Sequence, residues 1–248
     1  METVELNIAE GVALVWLNRP DRLNAVSPEL VDDLLTALDR VAADESVRAV
    51  VLAGRGRAFC AGHDLKAPTA DGDARVRLER LQDVTRRLRG LPQPVIAAVH
   101  GYAIGAGAEF ALGCDLVVAA DDAVFGFPEA TLGLSVTGAA SRLLPLLVGP
   151  AKAKELVLLG ERVDSAVAKG MGLVNRRVAR DELLEFSMDW ARQLAGKPRA
   201  AVTLAKRAID RGVDSAVETA LELEISHALL TDGSPEVART TEEFRARG

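Results

Sequence analysis

The sequence predicts an α/β fold in which two strands and one helix repeat along the chain, followed by a region that is almost entirely helical. Up to residue 125, short apolar segments rich in β-branched residues occur in pairs before each helical pattern. After residue 141, apolar residues recur at the three- and four-residue spacing of a helix. This order favours ββα units over a doubly wound sheet of strict βαβ units.

Local patterns place the individual elements. Alternation of side chains predicts a hairpin that turns at Glu10 and Gly11, and Ser27 before Pro28 is a typical helix start, with Ser27 as the N-cap. Asp64 is expected to cap a short helix, ahead of a mobile loop at 67–74. The expected strands lie at 4–8, 12–17, 47–52, 95–99, 116–119 and 124–125. The expected helices lie at 28–42, 75–89, 141–147, 151–159, 165–169, 182–194, 198–211 and 214–230.

Composition and charge exclude several classes of protein. The chain has 248 residues, 49% of them hydrophobic and 27% charged, with a formal net charge of -6. Without a basic run, this charge argues against nucleic-acid or anionic-membrane partners. The acidic N-terminus and the lack of a long uncharged apolar run predict a cytoplasmic protein. Cys60 and Cys114 have no metal or redox spacing and are expected to be core residues.

Two glycine-bearing turns stand out. Residues 94–116 are expected to form a buried strand, a glycine-rich turn and a helix that begins near Ala106. Ala61-Gly62-His63 follows an earlier strand. Small residues leave backbone N–H groups accessible to a ligand oxygen. If the fold brings the turns together, two N–H groups converge as an oxyanion hole for a carbonyl that gains negative charge.

Two glutamates lie close to these turns in the sequence. Glu109 is three residues beyond Ala106, within one helical turn, and Glu129 follows Pro128 in another turn. A pair of carboxylates beside a polarised carbonyl can exchange protons with the adjacent carbons. A structural role is the competing interpretation, because helix dipoles favour a first-turn Glu and Pro-Glu turns are commonly solvated.

Other side chains and folds offer weaker alternatives. His63, His100 and His227 are isolated in the sequence and are expected to have packing or surface roles. A dinucleotide-binding loop at Gly105 would put Glu109 where a pyrophosphate meets the helix N-terminus. The two negative charges would repel each other, which argues against this alternative. A serine hydrolase would need a G-x-S-x-G elbow, which the chain lacks.

Several ordered motifs resemble the enoyl-CoA hydratase/isomerase family, the crotonases. They are NRP…LNAVS, AFCAGHDLK, PVIAAVHGYAIGAGAEFALGCDLVVA and FGFPEATLGL, and KAKELVLLGERVDSAVAKGMGLVNRRV is similar to the family's next block. The resemblance implies a crotonase-like ββα spiral core at 1–190 that holds the active site. It further implies a C-terminal helical oligomerisation region at 191–248, and a homotrimer or dimer of trimers.

The resemblance also implies functional residues. Family members bind an acyl-CoA thioester and stabilise an enolate with two backbone N–H groups, here those of His63 and Ala106. Glu109 would help to activate water and Glu129 would exchange the proton at C2. The positions matching the family's coenzyme A contacts are Ala25, Ala61, His63, Asp64, Leu65 and Lys66. No cofactor is implied beyond the coenzyme A of the substrate, and no metal.

Retention of both glutamates favours a hydratase that converts 2-enoyl-CoA to 3-hydroxyacyl-CoA. An enoyl-CoA isomerase, or a specialised crotonase that cleaves C–C bonds or decarboxylates, is the alternative within the family. A non-catalytic acyl-CoA-binding protein is the alternative from another class. The chain reads SVTGAASRLL at 135–144, where many hydratases read IPGAGGTQRL, and this departure borders the expected acyl pocket.

Overall fold

The computed structural model describes residues 1–66, 73–213 and 235–246, together with the single helical positions Glu218, Ile225 and Leu229. Most of the helix expected at 214–230, including His227, lies outside the described residues, as do residues 67–72. The strands are β1 Val4–Ala9, β2 Val12–Leu17, β3 Ala49–Gly54, β4 Val95–Val99, β5 Tyr102–Ile104, β6 Leu116–Ala120, β7 Val124–Gly126, β8 Arg162–Asp164 and β9 Arg176–Val178. The helices are α1 Pro28–Ala43, α2 Ala74–Gly90, α3 Ala106–Gly113, α4 Ala140–Val148, α5 Pro150–Leu159, α6 Ser165–Gly170, α7 Leu183–Ala195, α8 Arg199–Val213 and α9 Pro235–Ala246.

Two sheets organise the core. A six-stranded sheet has the order β1-β2-β3-β4-β6-β9 and is parallel except for the β1–β2 hairpin. A smaller sheet has the order β5-β7-β8. The chain visits them in turn: β4 enters the large sheet, β5 the small sheet, and α3 follows; β6, β7 and α4 repeat the pattern. The repeated ββα unit expected from the sequence is therefore present.

The large sheet is covered on both faces. In β3, Val50 and Leu52 belong to the core cluster that includes α1 and α2, whereas Val51 and Ala53 belong to the cluster that includes α7. Successive side chains of a strand point to opposite faces, so a strand between two helical layers must be apolar throughout. This explains why β3 reads as a continuous apolar run.

Three strands, β5, β8 and β9, were missed by the sequence analysis. Residues 102–104 were expected within a glycine-rich turn, but they form β5, which pairs in parallel with β7. Gly101 connects β4 to β5 at a φ of 52°, so close to the main chain that a Cβ would lie 2.1 Å from the carbonyl oxygen of Arg57. Only glycine tolerates this approach, and it lets the chain pass from one sheet to the other.

The capping role expected of Asp64 stays a prediction, because most of the segment that it would cap, residues 67–72, lies outside the described residues. Its Oδ2 forms an ion pair with Arg19 Nη2 at 2.9 Å, and its Oδ1 accepts a hydrogen bond from the N–H of Lys66 at 3.2 Å. Residues 65–66 form a turn rather than a helix. The ion pair links residues 45 positions apart, which no local pattern predicts. By contrast, Ser27 caps α1 as expected, accepting from the N–H of Leu30.

The described C-terminal helices rest on the core. The side chain of Lys206 on α8 is only 7% exposed. Its Nζ lies 2.7 Å from Asp115 Oδ2. The last helix, α9, packs beside the short 3-10 helix Ala130–Leu132, and Arg245 Nε donates to the carbonyl oxygen of Leu65 at 2.8 Å. The division into domains at residue 190 stays a prediction. Across the described ranges, none of the helices has the length and apolarity needed to cross a membrane.

Candidate active site

The structure places the two glycine turns against each other. The N–H of Cys60 donates to Tyr102, and the N–H of Ile104 donates to Cys60, so the first turn is held along β5. Gly62 has a φ of 87°, and a Cβ there would lie 2.7 Å from the carbonyl oxygen of Ile104. A side chain at Gly62 would therefore force the turns apart.

The backbone orientations follow from this packing. Val26 N–H donates to Gly62, and Asp64 N–H donates to Val26, which makes His63 the residue bridged to Val26. Val26 makes both hydrogen bonds of this parallel bridge, to the residues on either side of His63, so the N–H of His63 itself faces away from Val26. Ala106 is the first residue of α3, where N–H groups lack acceptors within the helix.

Glu129 is buried beside the second turn. The residue is 9% exposed, and a Cβ on Gly105 would lie 2.8 Å from Glu129 Oε1. Glu129 Oε2 has no hydrogen-bond partner in the part of the chain that the structure describes. Burial raises the pKa of Glu129 from an ordinary 4.5 to about 7. Glu129 is thus not a solvated turn residue, and near neutral pH it can both give and accept a proton.

Glu109 is buried to a similar extent but held differently. It lies in the first turn of α3, is 1% exposed, and both of its carboxylate oxygens are hydrogen-bonded to Thr137. The N–H of Thr137 lies 2.6 Å from Oε1, and the Thr137 hydroxyl Oγ1 lies 2.6 Å from Oε2. Thr137 was missed by the sequence analysis. The available signal was its place in SVTGAASRLL, where the chain departs from the family's usual residues.

The positions matched to coenzyme A lie on two segments, 23–26 and 61–66, whose backbones are hydrogen-bonded to each other. Ala61 N–H donates to the carbonyl oxygen of Leu23, and Ala25 immediately precedes the bridge to His63. Leu65 and Lys66 continue from His63 toward the surface, with Arg245 of α9 alongside. The structure therefore brings the two segments that carry the matched positions together at the first glycine turn.

His100 lines a cavity that is separate from the two glutamates. A cavity of about 270 Å³ is lined by His100, Arg55 and Arg180 among others, and neither glutamate borders it. His100 is buried, with Nε2 3.1 Å from the carbonyl oxygen of Gly56, and burial together with Arg180 lowers its pKa. Its neutral, hydrogen-bonded ring fits the packing role expected for it. Cys60 is likewise buried, and burial raises its pKa to about 12.

A ββα spiral that feeds two sheets, with paired glycine turns and two buried carboxylates, is the architecture of the crotonase-fold proteins. A family model described as Enoyl-CoA hydratase/isomerase matches residues 7–240. The 1,2-epoxyphenylacetyl-CoA isomerase of Escherichia coli (strain K12) is 36% identical over 253 residues, which cover 100% of this chain and 97% of that protein. A probable enoyl-CoA hydratase of Mycobacterium leprae (strain TN) is 41% identical, with 83% of this chain and 73% of that protein covered.

Solved structures agree with the sequence relatives. An enoyl-CoA hydratase from Mycobacterium avium subsp. paratuberculosis K-10 has a TM-score of 0.92 at 29% identity, covering 99% of this chain and 96% of that chain. A monofunctional enoyl-CoA isomerase from M. smegmatis has a TM-score of 0.74 at 38% identity, covering 87% of this chain and 96% of that chain. The chain belongs to the enoyl-CoA hydratase/isomerase (crotonase) family and is an enzyme of that family. An acyl-CoA substrate is consistent with this membership.

Proposed function

We propose that the protein hydrates 2-enoyl-CoA thioesters to 3-hydroxyacyl-CoA. The observation that carries this proposal is the presence of two buried carboxylates, Glu109 and Glu129, beside the N-terminus of α3. Hydration needs a base for water and an acid for the α-carbon, and one carboxylate can serve each purpose. Both groups are enclosed, where electrostatic interactions are stronger than in water.

The proposed reaction begins with polarisation of the thioester. Its carbonyl oxygen accepts hydrogen bonds from the N–H groups of His63 and Ala106, which stabilise the negative charge of the enolate. Glu109 takes a proton from water as the water oxygen bonds to C3, and the π electrons move onto the thioester oxygen. Glu129 then donates its proton to C2. Its pKa of about 7 supports this role, because a substantial fraction is protonated at neutral pH.

Isomerisation is the second candidate. An isomerase needs one group that removes a proton from the substrate and returns it to another carbon. Glu129 Oε2 has no hydrogen-bond partner within the described ranges, whereas both oxygens of Glu109 are bound to Thr137. This asymmetry, together with the similarity to two isomerases, favours isomerisation over the specialised chemistries as the runner-up.

The direct test is turnover by the unmodified protein. Crotonyl-CoA and longer 2-enoyl-CoA thioesters should lose their conjugated absorbance, and mass spectrometry should find one added water in the product. The same preparation should be offered a 3-enoyl-CoA, whose conversion would create that absorbance. Formation of the conjugated product with no hydration of any 2-enoyl-CoA would replace the hydratase proposal with the isomerase.

We also expect a homotrimer or dimer of trimers in the cytoplasm. Apolar side chains on α4 and α5 support an assembly, because Leu146, Leu147, Leu158 and Leu159 are exposed in the single chain. Analytical ultracentrifugation measures the assembly. A monomer at micromolar concentration would contradict it.

A further inference from the structure

We propose that Thr137 is a positioning residue for Glu109, and that its hydroxyl group is required for hydration but not for proton exchange at C2. The inference rests on the proposed hydratase function. The observation behind it is the two-point contact in which Thr137 N–H and Oγ1 each lie 2.6 Å from a different oxygen of Glu109. Both side chains are buried, so water does not compete freely for these bonds.

The backbone N–H and the hydroxyl group of Thr137 differ in which protonation states of Glu109 they can hydrogen-bond. A backbone N–H can only donate, so the Glu109 Oε1 that it contacts must remain an acceptor. A hydroxyl can donate to an ionised carboxylate or, after rotation, accept from a protonated one. When Glu109 takes a proton from water on Oε2, the Thr137 hydroxyl keeps its hydrogen bond by reversing direction. A hydrogen bond is therefore available in both protonation states of Glu109.

The position of Thr137 is itself fixed by α2. The next residue, Gly138, donates its N–H to Gln82 Oε1 at 2.7 Å and accepts from Thr85 Oγ1 at 3.3 Å. Gln82 and Thr85 are both buried on α2. Gly138 also presses against Glu109, since a Cβ there would lie 2.7 Å from Glu109 Cβ. The Glu109 carboxylate is thus held by the loop that contains Thr137, and this loop is itself hydrogen-bonded to α2, as a positioning role requires.

Among the residues that the structure describes, Glu129 Oε2 has no hydrogen-bond partner, and this difference from Glu109 separates the two chemical steps. Exchange of the C2 proton needs Glu129 and a polarised thioester, but it needs neither water at C3 nor Glu109. Loss of the Thr137 hydroxyl should therefore impair addition of water and leave C2 exchange intact. A purely structural role for Thr137 would impair both, because both depend on the same turns and on the same bound thioester.

The test compares Thr137→Val, which keeps the β-branched shape, with Thr137→Ser, which keeps the hydroxyl. Thr203→Val on α8 is the matched control, since it removes a hydroxyl that donates to the carbonyl oxygen of Pro92. We expect Thr137→Val to lower kcat for hydration by about 10- to 100-fold, the range for a lost hydrogen bond to a charged group. Its KM should change less than about threefold, because the substitution removes no contact that binds the substrate in its ground state.

Exchange at C2 is followed by NMR with a saturated acyl-CoA in deuterated water. We expect Thr137→Val to exchange within about threefold of the unmodified protein, and Thr137→Ser to recover most of the hydration rate. Full hydration by Thr137→Val, or equal losses in hydration and exchange, would overturn the inference. If the unmodified protein exchanges C2 but hydrates no 2-enoyl-CoA, the proposed function itself fails and this inference with it.

Discussion

Glu109 and Glu129 are both buried but lie in contrasting surroundings. Glu109 projects from the first turn of a buried helix and shares both oxygens with Thr137. Glu129 follows a proline in a turn, and one of its oxygens is left without a partner among the described residues. Burial raises the pKa of Glu129 to about 7. Burial is common to both carboxylates, so the hydrogen bonds from Thr137 are what distinguish the surroundings of Glu109 from those of Glu129.

The largest expected effects come from removing each carboxylate's ability to exchange protons. Glu109→Gln and Glu129→Gln should each lower hydration of crotonyl-CoA at least about a hundredfold. Only Glu129→Gln should also abolish C2 proton exchange, because that step uses Glu129 alone. Absorbance assays and NMR measure the two reactions.

Binding to immobilised coenzyme A provides the control for these variants, and it should survive both substitutions. A non-catalytic acyl-CoA-binding protein would instead show no turnover before or after either change. Equal loss of exchange in the two variants would contradict the division of labour between the glutamates.

Two single glycine substitutions should each displace one of the glutamates, and the loss of activity should be smaller than in the glutamate variants. In Gly138→Ala the new Cβ meets Glu109 Cβ, and in Gly105→Ala it meets Glu129 Oε1 at 2.8 Å. We expect each to reduce hydration by about 10-fold or more, because misplacement of reacting groups by about 1 Å is costly. Gly105→Ala should reduce C2 exchange as well.

Gly149→Ala is the matched control for the glycine pair. Gly149 also has a positive φ, 80°, but none of the described residues would lie within 4 Å of a Cβ there. Its substitution should lower the melting temperature through backbone strain and leave kcat nearly unchanged. If Gly149→Ala lost as much activity as Gly138→Ala, strain rather than contact with Glu109 would explain the loss.

The smallest effect concerns stability and its pH dependence. The native pKa of Glu129, about 7, lies above its ordinary value of 4.5, so the folded protein binds more protons than the unfolded chain between these values. The free energy of unfolding therefore falls as pH rises through this window and then levels off. Glu129→Gln removes this loss, and we expect it to stabilise the protein by about 1 to 3 kcal/mol at pH 8.

Urea unfolding at pH 8 and below pH 4.5 measures this difference, which should vanish at the lower pH. Glu161→Gln, at an exposed position, serves as the control. A stabilisation by Glu129→Gln that did not change with pH would show that the carboxylate charge is not its cause.

Much of the fold was predictable because it depends on neighbours in sequence. The β1–β2 hairpin, the cap of α1 by Ser27 and the apolar stripe of α1 follow from spacing and local hydrogen bonds. The repeated ββα order follows from the succession of these patterns. The strand β5 was not predictable in this way, because three residues between glycines carry too little periodicity.

The candidate site divides along the same line. Its glutamates and glycine turns could be identified from the sequence, because glycine-rich turns and carboxylates among apolar residues occur in few structural contexts. The family resemblance then implied their roles. Tertiary structure alone decided that Thr137 binds Glu109 across 28 residues, that Asp64 pairs with Arg19 across 45, and that Lys206 reaches Asp115 across 91. Such contacts depend on how the sheets and helices pack, and no spacing rule within the chain encodes them.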